Sequence, residues 1–189
     1  MKLNKQILWT LVAMVLIASL YRILPNRPLG FAPQIAMALF AGSIFRNRSY
    51  AWALPLLSML LGDLVFEALY AGGLAPYGGF YEGQFTNYLL FAGITLLSYF
   101  IQFNKSWQVA LGVLAGPTVY FFISNFLVWL SGGGYHHPQT FNGLLLTYID
   151  GIPFYTGSLY ATAVFATLFF GGYNLLLQSR KPTAVTLRN

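Results

Sequence analysis

The sequence predicts an all-α, polytopic integral membrane protein with six transmembrane helices. Of its 189 residues, 57% are hydrophobic and only 7% are charged, whereas a soluble domain has about 25% charged residues. So few charged side chains cannot cover a surface that faces water, and the apolar residues fall into long runs. The composition therefore excludes soluble enzymes and nucleic-acid-binding proteins. The absence of cysteine excludes disulfide scaffolds and thiolate metal sites.

Six apolar runs predict six spans within one transmembrane domain over residues 1–180, followed by a polar cytoplasmic tail over residues 181–189. A membrane-spanning helix needs about 17–25 residues. The second run has only 15 residues and would reach about 22 Å as a helix. Either this helix lies inside the bundle or adjoining residues complete its crossing. The predicted spans are 7–24, 31–45, 50–70, 86–103, 107–131 and 152–178.

The distribution of basic residues predicts that both termini face the cytoplasm. With six spans, Arg22 and Arg27 fall on one side, and the 8 other Lys and Arg residues of the 10 fall on the opposite side. Cytoplasmic segments of membrane proteins are enriched in Lys and Arg. The predicted cytoplasmic group consists of Lys2, Lys5, Arg46, Arg48, Lys105, Arg180, Lys181 and Arg188.

Two long connections, residues 71–85 and 132–151, fall on the predicted outer side. Connections of this length in a compact domain are typical of binding loops and lids. Nine of the 13 tyrosines lie in these connections or at nearby helix ends, as an aromatic belt or as the wall of an outer pocket. A belt forms at both membrane interfaces, so the one-sided distribution favours a pocket. The tyrosines predicted to contact a ligand are Tyr77, Tyr81, Tyr135 and Tyr155.

Asp63 and Glu67 lie within the otherwise apolar third span. Because they are four residues apart, both carboxylates fall on one face of a helix. Charges at membrane depth are costly and usually face a bundle interior, a wet cavity or a paired cation. One interpretation is a structural ion pair between Arg22 and Glu67 or Asp63. The other is that one carboxylate contacts a ligand or lines its cavity.

Polar side chains of the fifth span and of the second long connection form a further group of candidates. Asn125 and Trp129 are four residues apart, and a buried Asn125 amide would bond either another helix or a ligand. His136 and His137 follow three glycines. They are interpreted as polar loop contacts or, alternatively, as an axial ligand to a metal held in a bound cofactor. No intrinsic metal site is predicted.

Small residues predict close helix packing, and no pattern predicts catalysis. Gly112 and Gly116 form a G-x-x-x-G pattern before Pro117, which permits close approach of two helices. A Ser/His/Asp constellation, a P-loop and a metalloprotease helix are all missing from the sequence. The chain is therefore expected to be neither an enzyme nor an ATPase.

Several segments together resemble a known family. They are RILPN (22–26), FAP (31–33) with AMALFAG (36–42), PLLSMLLGDLV (55–65), FISNFLVWL (122–130) and IPF (152–154). The chain is similar to small bacterial membrane proteins related to the substrate-binding S components of energy-coupling-factor (ECF) vitamin transporters. The resemblance implies a six-helix bundle of the bacterial inner membrane. It also implies a vitamin-like ligand bound at the outer face.

The resemblance also sets expectations about ligand and partners. Solitary proteins of this kind include a cobalamin-binding group that uses a cysteine to ligate cobalt, and this chain has no cysteine. If cobalamin is the ligand, His136 or His137 would have to replace that cysteine. Many S components dock their energy-coupling module through an Ala-x-x-x-Ala motif on the first helix. Here Ala13 and Ala18 are five residues apart.

The predicted function is binding and uptake of a vitamin or related cofactor, captured beneath residues 71–85 and 132–151. Two alternatives remain open. One is a small intramembrane enzyme that uses Asp63, Glu67 and His136. The other is a non-catalytic assembly subunit whose small-residue faces bind other helices.

Overall fold

The computed structural model describes residues 5–24, 26–45 and 48–178, which form six α-helices. Five of the six begin and end within about five residues of the predicted spans. The helices are α1 (Lys5–Ile23), α2 (Gln34–Ile44), α3 (Arg48–Ala71), α4 (Gln84–Ser98), α5 (Ser106–Leu130) and α6 (Phe141–Gln178).

Three described helices are long and apolar enough to cross a membrane: Tyr50–Ala71, Ser106–Leu130 and Phe141–Gln178. Two shorter segments, Leu11–Tyr21 and Gln34–Ile44, are apolar as well. Large apolar side chains also face outward, as Trp107 at 61% and Phe100 at 83% exposure illustrate. Apolar exteriors of this extent are typical of proteins surrounded by lipid.

The short helix α2 lies inside the bundle, which decides between the two alternatives that its length left open. All residues from Gln34 to Gly42 are buried. The helix packs against α3, α4, α5 and α6, and its Ala36 and Met37 join Met14 and Ala18 of α1 in one apolar cluster. A helix enclosed in this way has no face that requires polar residues.

Small residues let the neighbouring helices approach α2. A Cβ added at Gly42 would overlap Ser98 Oγ and lie 2.8 Å from the carbonyl oxygen of Thr95, both in α4. Two turns earlier on the same face of α2, Ile35 meets α5, where a Cβ at Gly116 would lie 3.0 Å from Ile35 Cγ2. The G-x-x-x-G pattern of α5 therefore permits close packing, as predicted.

Helix α6 differs most from its prediction. It begins at Phe141, so residues 141–151, predicted as part of a long loop, are helical. That prediction is wrong because Asp150 and Gly151 resemble loop residues, yet both lie within the helix, as does Pro153. Proline is tolerated inside apolar helices where neighbouring groups satisfy the freed carbonyl. Helix α4 ends at Ser98, earlier than the predicted 103, and turns follow it.

The C-terminal part of α5 and the N-terminal part of α6, residues 121–130 and 141–153, pack against each other, and we call this helix pair the arm. The connection between α1 and α2 reaches α6 at Phe154 and Gly157. Beyond that level, Asn125 abuts Gly151, and the Tyr148 hydroxyl donates a hydrogen bond of 3.1 Å to the Phe122 carbonyl. At about 57 Å, the 38-residue α6 exceeds a hydrocarbon core of about 30 Å.

We expect Gly42→Ala to lower the apparent melting temperature of the detergent-solubilised protein by several degrees. The added Cβ overlaps Ser98 Oγ, and overpacking of this kind costs about 1–3 kcal/mol. Gly93→Ala in α4 is the matched control, because a Cβ there meets nothing within 4 Å. Equal melting temperatures for the two variants would contradict the packing described here.

Candidate functional site

A cavity of about 340 Å³ opens at the end of the bundle where the α1–α2 and α3–α4 connections meet. We call this the loop end. Its aromatic walls are Phe66 of α3 and Tyr77 and Tyr81 of connection 72–83, and its cation is Arg27. The Phe66 and Tyr77 rings stack with centroids 5.7 Å apart and planes inclined by 21°. Gly78 and Gly79 complete the lining.

The segment that carries Arg27 is fixed to α6. Gly30 has a φ of +68°, and a Cβ there would overlap the Phe154 carbonyl oxygen, so only glycine fits. Ser158 Oγ donates a hydrogen bond of 3.1 Å to the Gly30 carbonyl, and a turn closes through Phe31 N and Pro28 O at 3.1 Å. The backbone next to Arg27 is therefore held in place.

Glu67 anchors connection 72–83 to α3. Its Oε2 accepts hydrogen bonds from the backbone N–H groups of Gly79, at 3.0 Å, and of Phe80, at 3.5 Å. A carboxylate that accepts peptide N–H groups makes charge-assisted hydrogen bonds, which are stronger than neutral ones. Glu67 thus holds the segment that supplies Tyr77 and Tyr81 to the cavity.

Asp63 is fully buried and lies at one end of a chain of hydrogen bonds. Its Oδ2 accepts from Gln84 Nε2 at 2.5 Å and from the Tyr88 hydroxyl at 2.6 Å. Gln84 Oε1 accepts in turn from Asn87 Nδ2 at 3.2 Å, and that Asn87 group also reaches the Tyr81 hydroxyl at 2.9 Å. The cavity wall at Tyr81 is therefore linked to the buried carboxyl group in α3.

A family model described as "Family of unknown function (DUF6580)" matches residues 2–185. The chain belongs to this family. Comparison with the curated proteins returns no match. Comparison with the solved structures returns none either.

The other predicted site residues lie on α5, on α6 and in connection 131–140, with contacts among themselves. Asn125 Nδ2 donates to the Phe121 carbonyl at 2.8 Å, one turn earlier in its own helix. Trp129 Nε1 donates to the Pro138 carbonyl at 3.1 Å. Tyr155 lies deeper, with its hydroxyl 2.9 Å from Thr118 Oγ1 and its ring 4.7 Å from that of Phe121.

The two histidines bond to different groups at the tip of the arm. His136, with a φ of +57°, has its Nδ1 within 2.7 Å of the Gly132 carbonyl oxygen. His137 Nε2 lies 2.6 Å from Asp150 Oδ2, and the exposed Tyr135 ring lies 6.4 Å from the His137 ring. The His137–Asp150 pair ties connection 131–140 to the first turns of α6.

The predicted site residues thus fall into two groups. The contacts of Asp63, Glu67, Tyr77 and Tyr81 run to α3, α4 and connection 72–83. Those of the other six run to α5, α6 and connection 131–140. The predicted Arg22–Glu67 pair stays untested, because the Arg22 side chain lies outside the part of the structure that is described.

Sequence reasoning missed three kinds of site residue. Arg27 was counted only for orientation, although it lines the cavity. Gln84 and Tyr88, which bond Asp63, lie at i and i+4 of α4, a spacing that can be read from the sequence. Asp150 can be recognised only once α6 is known to begin at Phe141. Within residues 5–24, 26–45 and 48–178, no group of three or more His, Asp or Glu residues could hold a metal ion.

We expect Tyr88→Phe to destabilise the protein, because it removes one of the donors to the buried Asp63 carboxyl group. Loss of a hydrogen bond to a buried polar or charged group costs about 1–3 kcal/mol. The measurement is the apparent melting temperature in detergent, with Tyr160→Phe as control, since Tyr160 is 70% exposed. Equal melting temperatures in both variants would show that the Tyr88 hydroxyl adds nothing to stability.

Proposed function

We propose that the chain binds a small vitamin-like molecule at its loop end, as part of uptake across the bacterial cytoplasmic membrane. The observation that carries the proposal is the cavity of about 340 Å³ lined by Arg27, Phe66, Tyr77 and Tyr81. Ligand sites are concave and largely apolar or aromatic. They have volumes of about 300–1,000 Å³ and a few convergent polar groups. The volume of this cavity, its aromatic walls and the Arg27 guanidinium agree with that description.

The proposal places the protein in the membrane with six spans and both termini in the cytoplasm. Three long apolar helices and outward-facing apolar side chains support the membrane setting. The orientation rests on the basic residues, because connections 72–83 and 131–140 contain no Lys or Arg. The loop end then faces outward, where a ligand would arrive.

The cavity favours a compact ligand over a corrinoid. Its volume lies near the lower limit for ligand pockets, and no residue of the arm is among its lining residues. Each histidine already has a close partner in the protein, Gly132 for His136 and Asp150 for His137. Cobalt ligation would require one of these contacts to rearrange or the other ring nitrogen of either histidine to serve.

The alanine positions on the first helix favour uptake that does not use the usual ECF coupling module. Ala13 is exposed, whereas Ala18 is buried against the core. The two alanines therefore do not share one outward face, as an Ala-x-x-x-Ala docking stripe would require. Uptake would depend on another partner or on movement of the bundle in the bilayer.

The contacts favour binding over the enzyme alternative. That alternative needs His136 within hydrogen-bond reach of Asp63 or Glu67. His136 instead bonds Gly132 at the tip of the arm, Asp63 accepts from Gln84 and Tyr88, and Glu67 holds connection 72–83. These carboxyl groups have structural partners and do not converge on the histidine.

We expect the protein purified from cells in mild detergent to retain a small molecule, detectable by mass spectrometry and absorbance. Tyr77→Ala is expected to lower its occupancy or affinity about tenfold, because the variant removes one ring of the aromatic wall. Tyr160→Ala, at an exposed tyrosine of α6, is the matched control. Absence of a retained molecule, together with no binding across a panel of vitamins that includes cobalamin, would refute the proposed function.

A further inference from the structure

We infer that the loop-end cavity selects a planar aromatic molecule that carries one anionic group, with Arg27 as the residue that recognises the anion. This inference rests on the proposed binding function and adds the chemical class of the ligand. It depends on three observations. Arg27 has no bonding partner among the described residues, two aromatic rings of the cavity wall are stacked, and the nearby Asp63 and Glu67 bond other groups.

Arg27 lines the cavity, and no partner for it is found among the residues that the structure describes. Its side chain is half-buried, and within the described ranges no hydrogen bond or ion pair satisfies its guanidinium. A half-buried guanidinium leaves five N–H donors to be satisfied from outside the protein, and its planar fork matches carboxylate and phosphate oxygens. The cavity that it faces is the place from which an anion would reach it.

Within the described residues, no acid forms an ion pair with Arg27, and this includes the exposed Glu82 beside Tyr81. Glu67 directs Oε2 to the backbone of Gly79 and Phe80. Asp63 lies beneath the cavity and accepts from Gln84 and Tyr88. Among the three loop-end and arm-tip connections, 24–33, 72–83 and 131–140, Arg27 is the only Lys or Arg in the sequence. Among the residues that line the cavity, Arg27 is the one that carries a positive charge.

The lining residues other than Arg27 favour a ligand with a planar, apolar ring. Phe66 and Tyr77 present nearly parallel rings, and Tyr81 is held by the Asn87 amide. Aromatic walls prefer offset-stacked or edge-on rings. Gly78 and Gly79 contribute only backbone. A ring stacked on this wall with its acidic group toward Arg27 would satisfy both features of the cavity.

An anionic lipid headgroup offers the same charge as a soluble aromatic acid, so the experiment must separate the two sources. The probes are two matched sets: benzoate, benzamide and benzylamine, and indole-3-acetate, indole-3-acetamide and tryptamine. Dissociation constants are measured by ligand-observed NMR for the full chain, in dodecyl maltoside and in phosphatidylglycerol nanodiscs. The variants are Arg27→Gln and, as matched loss of charge at an exposed site, Lys105→Gln.

We expect the wild-type protein to bind each acid at least tenfold more tightly than its amide, in micelles and in nanodiscs. Arg27→Gln should reduce this ratio to within about threefold and leave the affinity for the amides unchanged, whereas Lys105→Gln should keep the wild-type ratio. An unchanged amide affinity shows that the aromatic cavity is still formed in the Arg27 variant. A folding defect would lower the affinity for acid and amide alike.

Other results would overturn the inference in distinguishable ways. Equal binding of acid and amide, or tighter binding of the amine, would remove Arg27 as the selecting residue while the cavity remains a binding site. Acid preference in micelles that disappears in phosphatidylglycerol nanodiscs would assign Arg27 to lipid headgroups. If neither probe set binds but a molecule is retained on purification, the aromatic-acid class is wrong and the proposed function stands. If no molecule is retained either, both fall.

Discussion

The complete burial of the short helix α2 determines much of the remaining architecture. An 11-residue helix reaches only about 16 Å, and α3, α4, α5 and α6 all pack against it. They can do so only where small residues, such as Gly42 and Gly116, allow close approach. Because α2 begins at Gln34, the connection before it lies low against α6, near Phe154. Residues 141–153 of α6 lie before this contact in the chain and pair with α5 to form the arm.

The same constraint creates the cavity. The connection from α1 to α2 enters the bundle beside a part of α3 that is still helical. Arg27 of this connection and Phe66 of α3 therefore line the same cavity. Connection 72–83 then folds back over α3, held by Glu67 at Gly79 and Phe80. Asp63, one turn deeper than Glu67, fixes the start of α4 through Gln84 and Tyr88. Two carboxylates on one helix face thus position the two segments that enclose the cavity, one at the connection and one at the helix that follows it.

The sequence predicts the helical class, most helix ends and the importance of Asp63 and Glu67, because hydropathy and i, i+4 spacing are local properties. It does not predict the start of α6. Asp150 and Gly151 are loop signals in isolation, yet Gly143, Thr147 and Gly151 are buried at four-residue intervals. Helix packing here outweighs local propensity. The sequence also does not predict that the site residues fall into two groups, because this depends on how the helices pack around α2. The role of Arg27 is not predicted either, because a single arginine in a turn belongs to no recognisable sequence pattern.

The few charged groups of this chain therefore have unequal roles. Asp63, Glu67 and Asp150 each accept a hydrogen bond or lie in an ion pair that joins two segments of the protein. Burying or half-burying an acid is tolerable when such partners compensate for the lost hydration. Arg27 has no such compensation within the described residues, although it is half-buried as well. Asp63 and Glu67 account for how the loop end holds its shape, whereas Arg27 is the group for which we propose an anionic ligand.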